Sequence, residues 1–118
     1  MRSYKELDVW KKSHALTLIV YRATRESTFP PEEKYGVVGQ IRRAVVSIEA
    51  NIAEGSRKNS DADFCRFLNI AEGSAAEVEV LAMIIRDVGY LTEVTSGEIL
   101  TLATEVSKML YAFKRAVL

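Results

Sequence analysis

The sequence predicts an all-α domain, an antiparallel, up-and-down, left-handed four-helix bundle, and three observations predict it. Turn punctuation is scarce: of 118 residues only two are proline, adjacent at Pro30-Pro31, and the six glycines do not cluster. That argues against the short strands and frequent turns of an all-β chain. Apolar residues recur at steps of three and four through four segments, the spacing that keeps side chains on one face of a helix. The polar connections between segments are short, which makes successive helices antiparallel neighbours.

The first helix is expected over residues 4–26, where Leu7, Trp10, His14, Thr17 or Leu18, and Tyr21 fall at helical spacing and Val9, Leu16, Ile19, Val20 and Ala23 widen the apolar face. Phe29-Pro30-Pro31-Glu32-Glu33 ends it and opens the second helix, expected over 31–57, because proline is tolerated in a first turn and early carboxylates complement the helix dipole. Its seam is Lys34, Val38, Ile41, Val45, Ile48, Ile52 and Gly55, and a helix of that span is roughly 40 Å long. Ser60 with Asp63 resembles a capping box and starts the third helix, expected over 61–90 with Phe64, Leu68, Ala71, Ala75, Val78, Ala82, Ile85 and Gly89 as its seam. Thr95 with Glu98 makes a second box for the fourth helix, expected over 96–117 and carried by Ile99, Leu102, Val106, Leu110, Phe113 and Val117. Steps near three and a half in three of the four seams specify the left-handed packing.

Composition narrows the function. A single domain of this length buries roughly two thirds of its unfolded surface, enough for a core without staples. Sixteen basic and sixteen acidic side chains cancel, so no global field draws the chain to nucleic acid or an anionic membrane, and a charged partner must meet a local patch. Cys65 is the single cysteine and has no internal partner, which fits a reducing, cytoplasmic location. No apolar run approaches the roughly 18 to 20 residues that span a bilayer, and the first residues lack the apolar core of a signal peptide.

Catalytic signals are absent, and so are cofactor signals. His14 is the only histidine, so a bundle di-iron site with Glu-x-x-His on two helices cannot be built. No Cys-x-x-Cys pair, glycine-rich phosphate loop or Gly-x-Ser-x-Gly elbow occurs. Glu54, Glu72, Glu77 and Glu79 offer carboxylates but no clear converging set for a metal. The reading is therefore of a protein that binds rather than catalyses.

Two features could carry binding. The hexapeptide Asn-Ile-Ala-Glu-Gly-Ser occurs twice, at 51–56 and 69–74. In a hairpin turning near Asn59, residues whose numbers sum to about 119 lie side by side, so the copies sit at different depths along one helix pair. Ala44, Ser47, Ala50 and Ala53 then face Ala71, Gly73, Ser74, Ala75 and Ala76, a close helix contact in which Gly73 has a packing reason to offset its cost in helix propensity. The same alignment puts Arg42 and Arg43 near Glu77 and Glu79 as cross-helix ion pairs, structural or interfacial. The second feature is the front-loading of basic charge: Arg2, Lys5, Lys11, Lys12, Arg22 and Arg25, then Arg42, Arg43, Arg57 and Lys58. Repeated around an oligomer, such a patch can hold RNA or DNA through phosphate contacts.

The chain resembles the four-helix-bundle proteins encoded in intervening sequences of bacterial 23S rRNA genes. The likeness runs through Leu7-Asp8-Val9-Trp10-Lys11-Lys12, Tyr21, Phe29-Pro30, Glu33, Tyr35-Gly36, Gln40 to Ile48, Asn51 to Gly55, Phe67 to Ala71, Gly73-Ser74, Glu77 and Glu79. It implies a ring-shaped homopentamer and kinship with accessory proteins of diversity-generating retroelements, which bind nucleic acid. On that basis Lys11, Lys12, Arg22, Arg25, Arg42 and Arg43 are the candidate nucleic-acid contacts, and Ser47, Asn51, Glu54, Gly55, Gly73, Ser74 and Glu77 the structural or interface signature. The expected partners are further copies of the chain, RNA or DNA, or alternatively a protein such as a reverse transcriptase whose helices the bundle grips. One departure is Glu49, where relatives commonly have proline, so a proline kink in the second helix is expected to be missing.

Overall fold

A computed structural model describes residues 3–25 and 28–118. It contains α1 (Asp8–Ala23), α2 (Val37–Ser56), α3 (Asp61–Val88) and α4 (Glu93–Val117), with 3-10 turns at Tyr4–Glu6 and Pro31–Lys34. Each helix packs on its neighbours in sequence and α4 closes back on α1, leaving α1 and α3 on one diagonal and α2 and α4 on the other. The cross-helix contacts run in opposite directions. Thr17 meets Val45 while His14 meets Glu49, Ser47 meets Ser74, and Asn69 meets Lys114 while Glu79 meets Ser107. The fold is the antiparallel four-helix bundle that the spacing predicts, 44 × 22 × 20 Å in extent.

The core is aliphatic. Leu16 and Val20 from α1, Ile41, Val45, Ile48 and Ile52 from α2, Leu68, Val78 and Ile85 from α3, and Ile99, Val106 and Leu110 from α4 are all fully enclosed. The seams of α2, α3 and α4 match expectation except at their ends, where Lys34 and Gly89 are exposed. In α1 the buried face is turned relative to the expected one. Val9, Ser13, Leu16, Thr17, Val20 and Ala23 point inward, whereas Trp10 and His14 lie on the flank, stacked on each other with ring centroids 5.0 Å apart. The two buried hydroxyls cost little here, because Ser13 donates to the Val9 carbonyl and Thr17 to those of Ser13 and Val45.

Helix boundaries differ from expectation for local reasons. Residues 4–6 form a separate 3-10 turn capped by Ser3, and α1 stops at Ala23; residue 26 of the expected first helix lies outside the described residues. The second helix starts at Val37 rather than 31. Pro31–Lys34 makes its own 3-10 turn, and Glu33 folds forward so that Oε1 accepts from the Val37 N–H at 3.1 Å. With 20 residues, α2 is about 30 Å long, and it runs without a break through Glu49, as the missing proline implies. Ser60 caps α3 as expected, its Oγ accepting from the Asp63 N–H. The third helix ends at Val88, because Gly89 takes a left-handed φ of 89° that glycine alone adopts freely. Thr92, not Thr95, caps α4: its Oγ1 accepts from the Thr95 N–H at 3.1 Å.

Candidate nucleic-acid interface

The basic side chains divide into those held by the bundle and those left free. Lys12 pairs with Glu105 of α4 at 3.3 Å. Arg42 donates from Nε to Thr24 Oγ1 at 2.8 Å and lies 4.7 Å from the Tyr21 ring centroid, which clamps the end of α1 against the start of α2. Arg43 is exposed and lines a shallow groove with Gln40, Ala44, Ser47, Ser74 and Glu77. Neither arginine forms the expected ion pair with Glu77 or Glu79. Arg42 points toward α1 instead, and Glu79 accepts from Ser107 of α4 at 3.3 Å. Among the described residues Lys11, Arg22, Arg25 and Arg43 have no carboxylate partner. Arg2 lies outside the described residues.

Topology gathers part of this set. Arg22 and Arg25 sit where α1 runs out, and Arg43 sits in the second turn of α2 beside the groove toward α3, so all three mark the same end of the bundle, with Arg42 turned onto α1. Lys11 shares the outer face of α1 with Arg22, at steps of four, three and four through Ala15 and Leu18, about 16 Å farther along. Sequence reasoning missed two residues of this corner. Lys34 was expected in a seam but is exposed, and Tyr35 is 82% exposed, with Lys34 Nζ 5.5 Å from its ring centroid. The unexpected 3-10 turn puts them there.

Side-chain contacts tie this end of the bundle together. Tyr90, just after α3, donates its hydroxyl to Glu33 Oε2 at 2.8 Å, and its ring lies 5.3 Å from that of Phe29. The hydrogen bond to Glu33, with burial and the negative charge of Glu33 adding to it, holds the Tyr90 phenol above its usual pKa. Glu33 thus ties the turn before α2 both to the N-terminus of that helix and to the end of α3.

The doubled hexapeptide has two different jobs. Asn51 donates to Ser47 O at 2.8 Å and to Ser47 Oγ at 3.1 Å, and the Ser47 and Ser74 hydroxyls bond at 2.8 Å, so the first copy is wired to the last residue of the second. Gly55 is a true close approach: a Cβ there would lie 2.7 Å from Phe67 Cβ and 2.9 Å from Phe64 Cδ1. The second copy works on α4, where Lys114 Nζ reaches Glu72 Oε1 at 2.6 Å and donates to Asn69 Oδ1 at 2.9 Å. Gly73 corrects expectation, because a Cβ there would meet nothing within 4 Å. It faces outward rather than toward α2, so close packing inside the chain does not explain it. Glu54 and Glu77 are likewise exposed and make no ion pair among the described residues.

His14 Nδ1 lies 2.7 Å from Glu49 Oε2, a pair joining α1 to α2 beside Trp10. Among the described residues no group of three or more His, Cys, Asp or Glu converges on a point where a metal ion could sit. Cys65 is buried and points its sulfur at the Lys114 carbonyl, 3.9 Å away. No helix is long and apolar enough to cross a membrane, among the described residues.

Comparison with known proteins adds a family and a fold. A family model described as 23S rRNA-intervening sequence protein matches residues 5–112. A solved structure from Bacteroides thetaiotaomicron, described as a protein of unknown function from the S23 ribosomal protein family, is 30% identical. The alignment covers 91% of this chain and 95% of that one, with a TM-score of 0.81. No curated protein matches.

Proposed function

Because the chain belongs to the 23S rRNA-intervening sequence protein family, we propose that it is a non-catalytic, self-assembling scaffold that holds RNA or DNA in the cytoplasm. The observation that carries this reading is the exposed basic corner. Arg22, Arg25 and Arg43 are exposed at one end of the bundle with no carboxylate partner among the described residues, and Lys34 and the exposed Tyr35 lie at the same end. Guanidinium groups bind phosphate oxygens in forked pairs, and an exposed aromatic ring offers a stacking face to an unpaired base. Such a surface favours backbone contacts over base reading, so affinity is salt-dependent and weakly selective.

Three arginines on one small domain bind weakly alone. Assembly into a closed ring, five-membered as the resemblance implies, repeats the corner and multiplies its effect through avidity. Retardation of structured RNA or single-stranded DNA in low-salt gels supports the reading, with Arg22→Ala, Arg25→Ala and Arg43→Ala combined weakening it. No retardation by the wild-type assembly overturns it. In that case a protein that co-purifies in high salt would point to the adaptor reading, in which the bundle grips a partner's helix.

A further inference from the structure

The groove between α2 and α3 differs from those around Ala53 and Phe113, because its walls are mainly polar. Gln40, Arg43 and Ser47 line it from α2, Ser74 and Glu77 line it from α3, and the buried Ala44 gives it a small floor. Its volume is about 310 Å³, at the low end of the roughly 300 to 1,000 Å³ of small-ligand sites. Gly39 helps to place the arginine. A Cβ there would lie 3.1 Å from Arg43 Nη1, so the guanidinium folds back along α2 over that glycine.

Two hydrogen-bonding features of this lining are left unused by the fold. Arg43 and Glu77 face one groove with opposite charges, yet they form no ion pair with each other or with any other described residue. The second feature is a proton. Asn51 Nδ2 donates to Ser47 Oγ at 3.1 Å, and one of the Ser47 and Ser74 hydroxyls donates to the other at 2.8 Å. Two hydroxyls carry two hydrogens and that bond uses one, so one O–H in the wall of the groove has no acceptor among the described residues. Ser74 and Glu77 are one turn apart on the same face of α3, with Cβ atoms roughly 5 to 6 Å from each other. That face is otherwise apolar: Ile70, Val80, Ile84 and Val88 are between 44% and 57% exposed. The two residues are a polar break in an apolar stripe, where a flat ring can reach the polar pair with its edge and rest its faces on apolar neighbours.

Resting on the nucleic-acid reading, we infer that this groove takes one unpaired guanine base of a bound strand. Guanine alone among the four bases presents two adjacent donors, N1–H and N2–H, beside an acceptor, O6, on its Watson–Crick edge. Glu77 accepts from both donors, the uncommitted serine hydroxyl one turn away donates to O6, and Arg43 stays on the neighbouring phosphate. Adenine turns the lone pair of N1 toward the carboxylate, and cytosine and uracil turn the O2 carbonyl, so each loses at least one of these bonds. Splayed-out bases of single strands are read through such edges. A carboxylate beside a phosphate-binding surface weakens non-specific attraction, and a base that donates to it accounts for its place there.

Fluorescence anisotropy at low salt tests this with two labelled strands, an oligoadenylate and the same strand carrying one central guanosine. The wild type is expected to hold the guanosine strand at least about fivefold more tightly, the discrimination of one bidentate contact. Inosine in place of guanosine lacks the N2 amino group and should fall between. Glu77→Gln, at an exposed position, should bring the two affinities together, and circular dichroism checks that it keeps its helices. Equal binding of both strands by the wild type, or a Glu77→Gln variant that keeps the preference, overturns the inference and leaves phosphate binding standing. Free guanosine monophosphate that competes as well as the guanosine strand would assign the groove to mononucleotides and overturn it too. Binding of neither strand overturns both readings.

Discussion

Gly55 and Gly73 occupy the same position in two copies of one hexapeptide, yet their surroundings are opposite. A methyl group on Gly55 would run into Phe67 and Phe64, whereas one on Gly73 meets open space. Overpacking costs roughly 1 to 3 kcal/mol, against a gain of about 1 kcal/mol from better helix propensity. Gly55→Ala is therefore expected to lower unfolding stability by about 1 kcal/mol in urea titration. Gly73→Ala, whose methyl meets nothing within the chain, should raise it by about 0.5 to 1 kcal/mol. Equal effects at the two sites would contradict the assignment. The sequence shows the repeat but not this difference, because which side of α3 each residue faces depends on rotation about the helix axis. The charges were legible in the same partial way. Six basic candidates could be named, but that Arg42 would turn to Thr24, 18 residues away, depends on how α1 ends.

At the scale of elements, patterns with one clear apolar stripe were readable and those with two were not. From Val38 to Ile52 the seam of α2 is a single file of branched residues and was placed residue by residue, whereas Lys34, its expected start, is exposed. In α1, Trp10, His14 and Tyr21 formed a second stripe beside Val9, Leu16 and Val20, and only packing against α2 and α4 chose between them. The start of α2 was hidden for another reason: a proline followed by glutamates fits either an α-helix or a 3-10 turn, and the decision rests on the Glu33 side chain. That residue yields a prediction. The phenol of Tyr90 is neutral when it donates to Glu33, and its pKa is raised in the folded chain. Its contribution is complete below the ordinary tyrosine value of about 10 and is lost as pH rises through the folded-state value. Tm followed by circular dichroism should therefore fall more steeply above pH 10 for wild type than for Tyr90→Phe. Parallel curves would show that the clamp contributes nothing.

Across the whole molecule, a neutral net charge conceals a division: an outer surface on α1 and the start of α2 that is basic, and an outer surface on α3 that is apolar. The bundle itself could be read from sequence because its core seams are periodic. The α3 surface could not, since an exposed apolar stripe and a buried one look alike until the neighbours are in place. The basic surface is proposed to hold nucleic acid through its phosphates. The direct measurement is affinity for a structured RNA between 50 and 200 mM salt, for wild type and for the Arg22→Ala, Arg25→Ala, Arg43→Ala variant. Each phosphate contact contributes about 0.7 to 0.9 to the slope of log affinity against log salt. A steep wild-type slope that shallows by about two to three in the variant is expected; no binding by the wild type at 50 mM, or an unchanged slope, would contradict this.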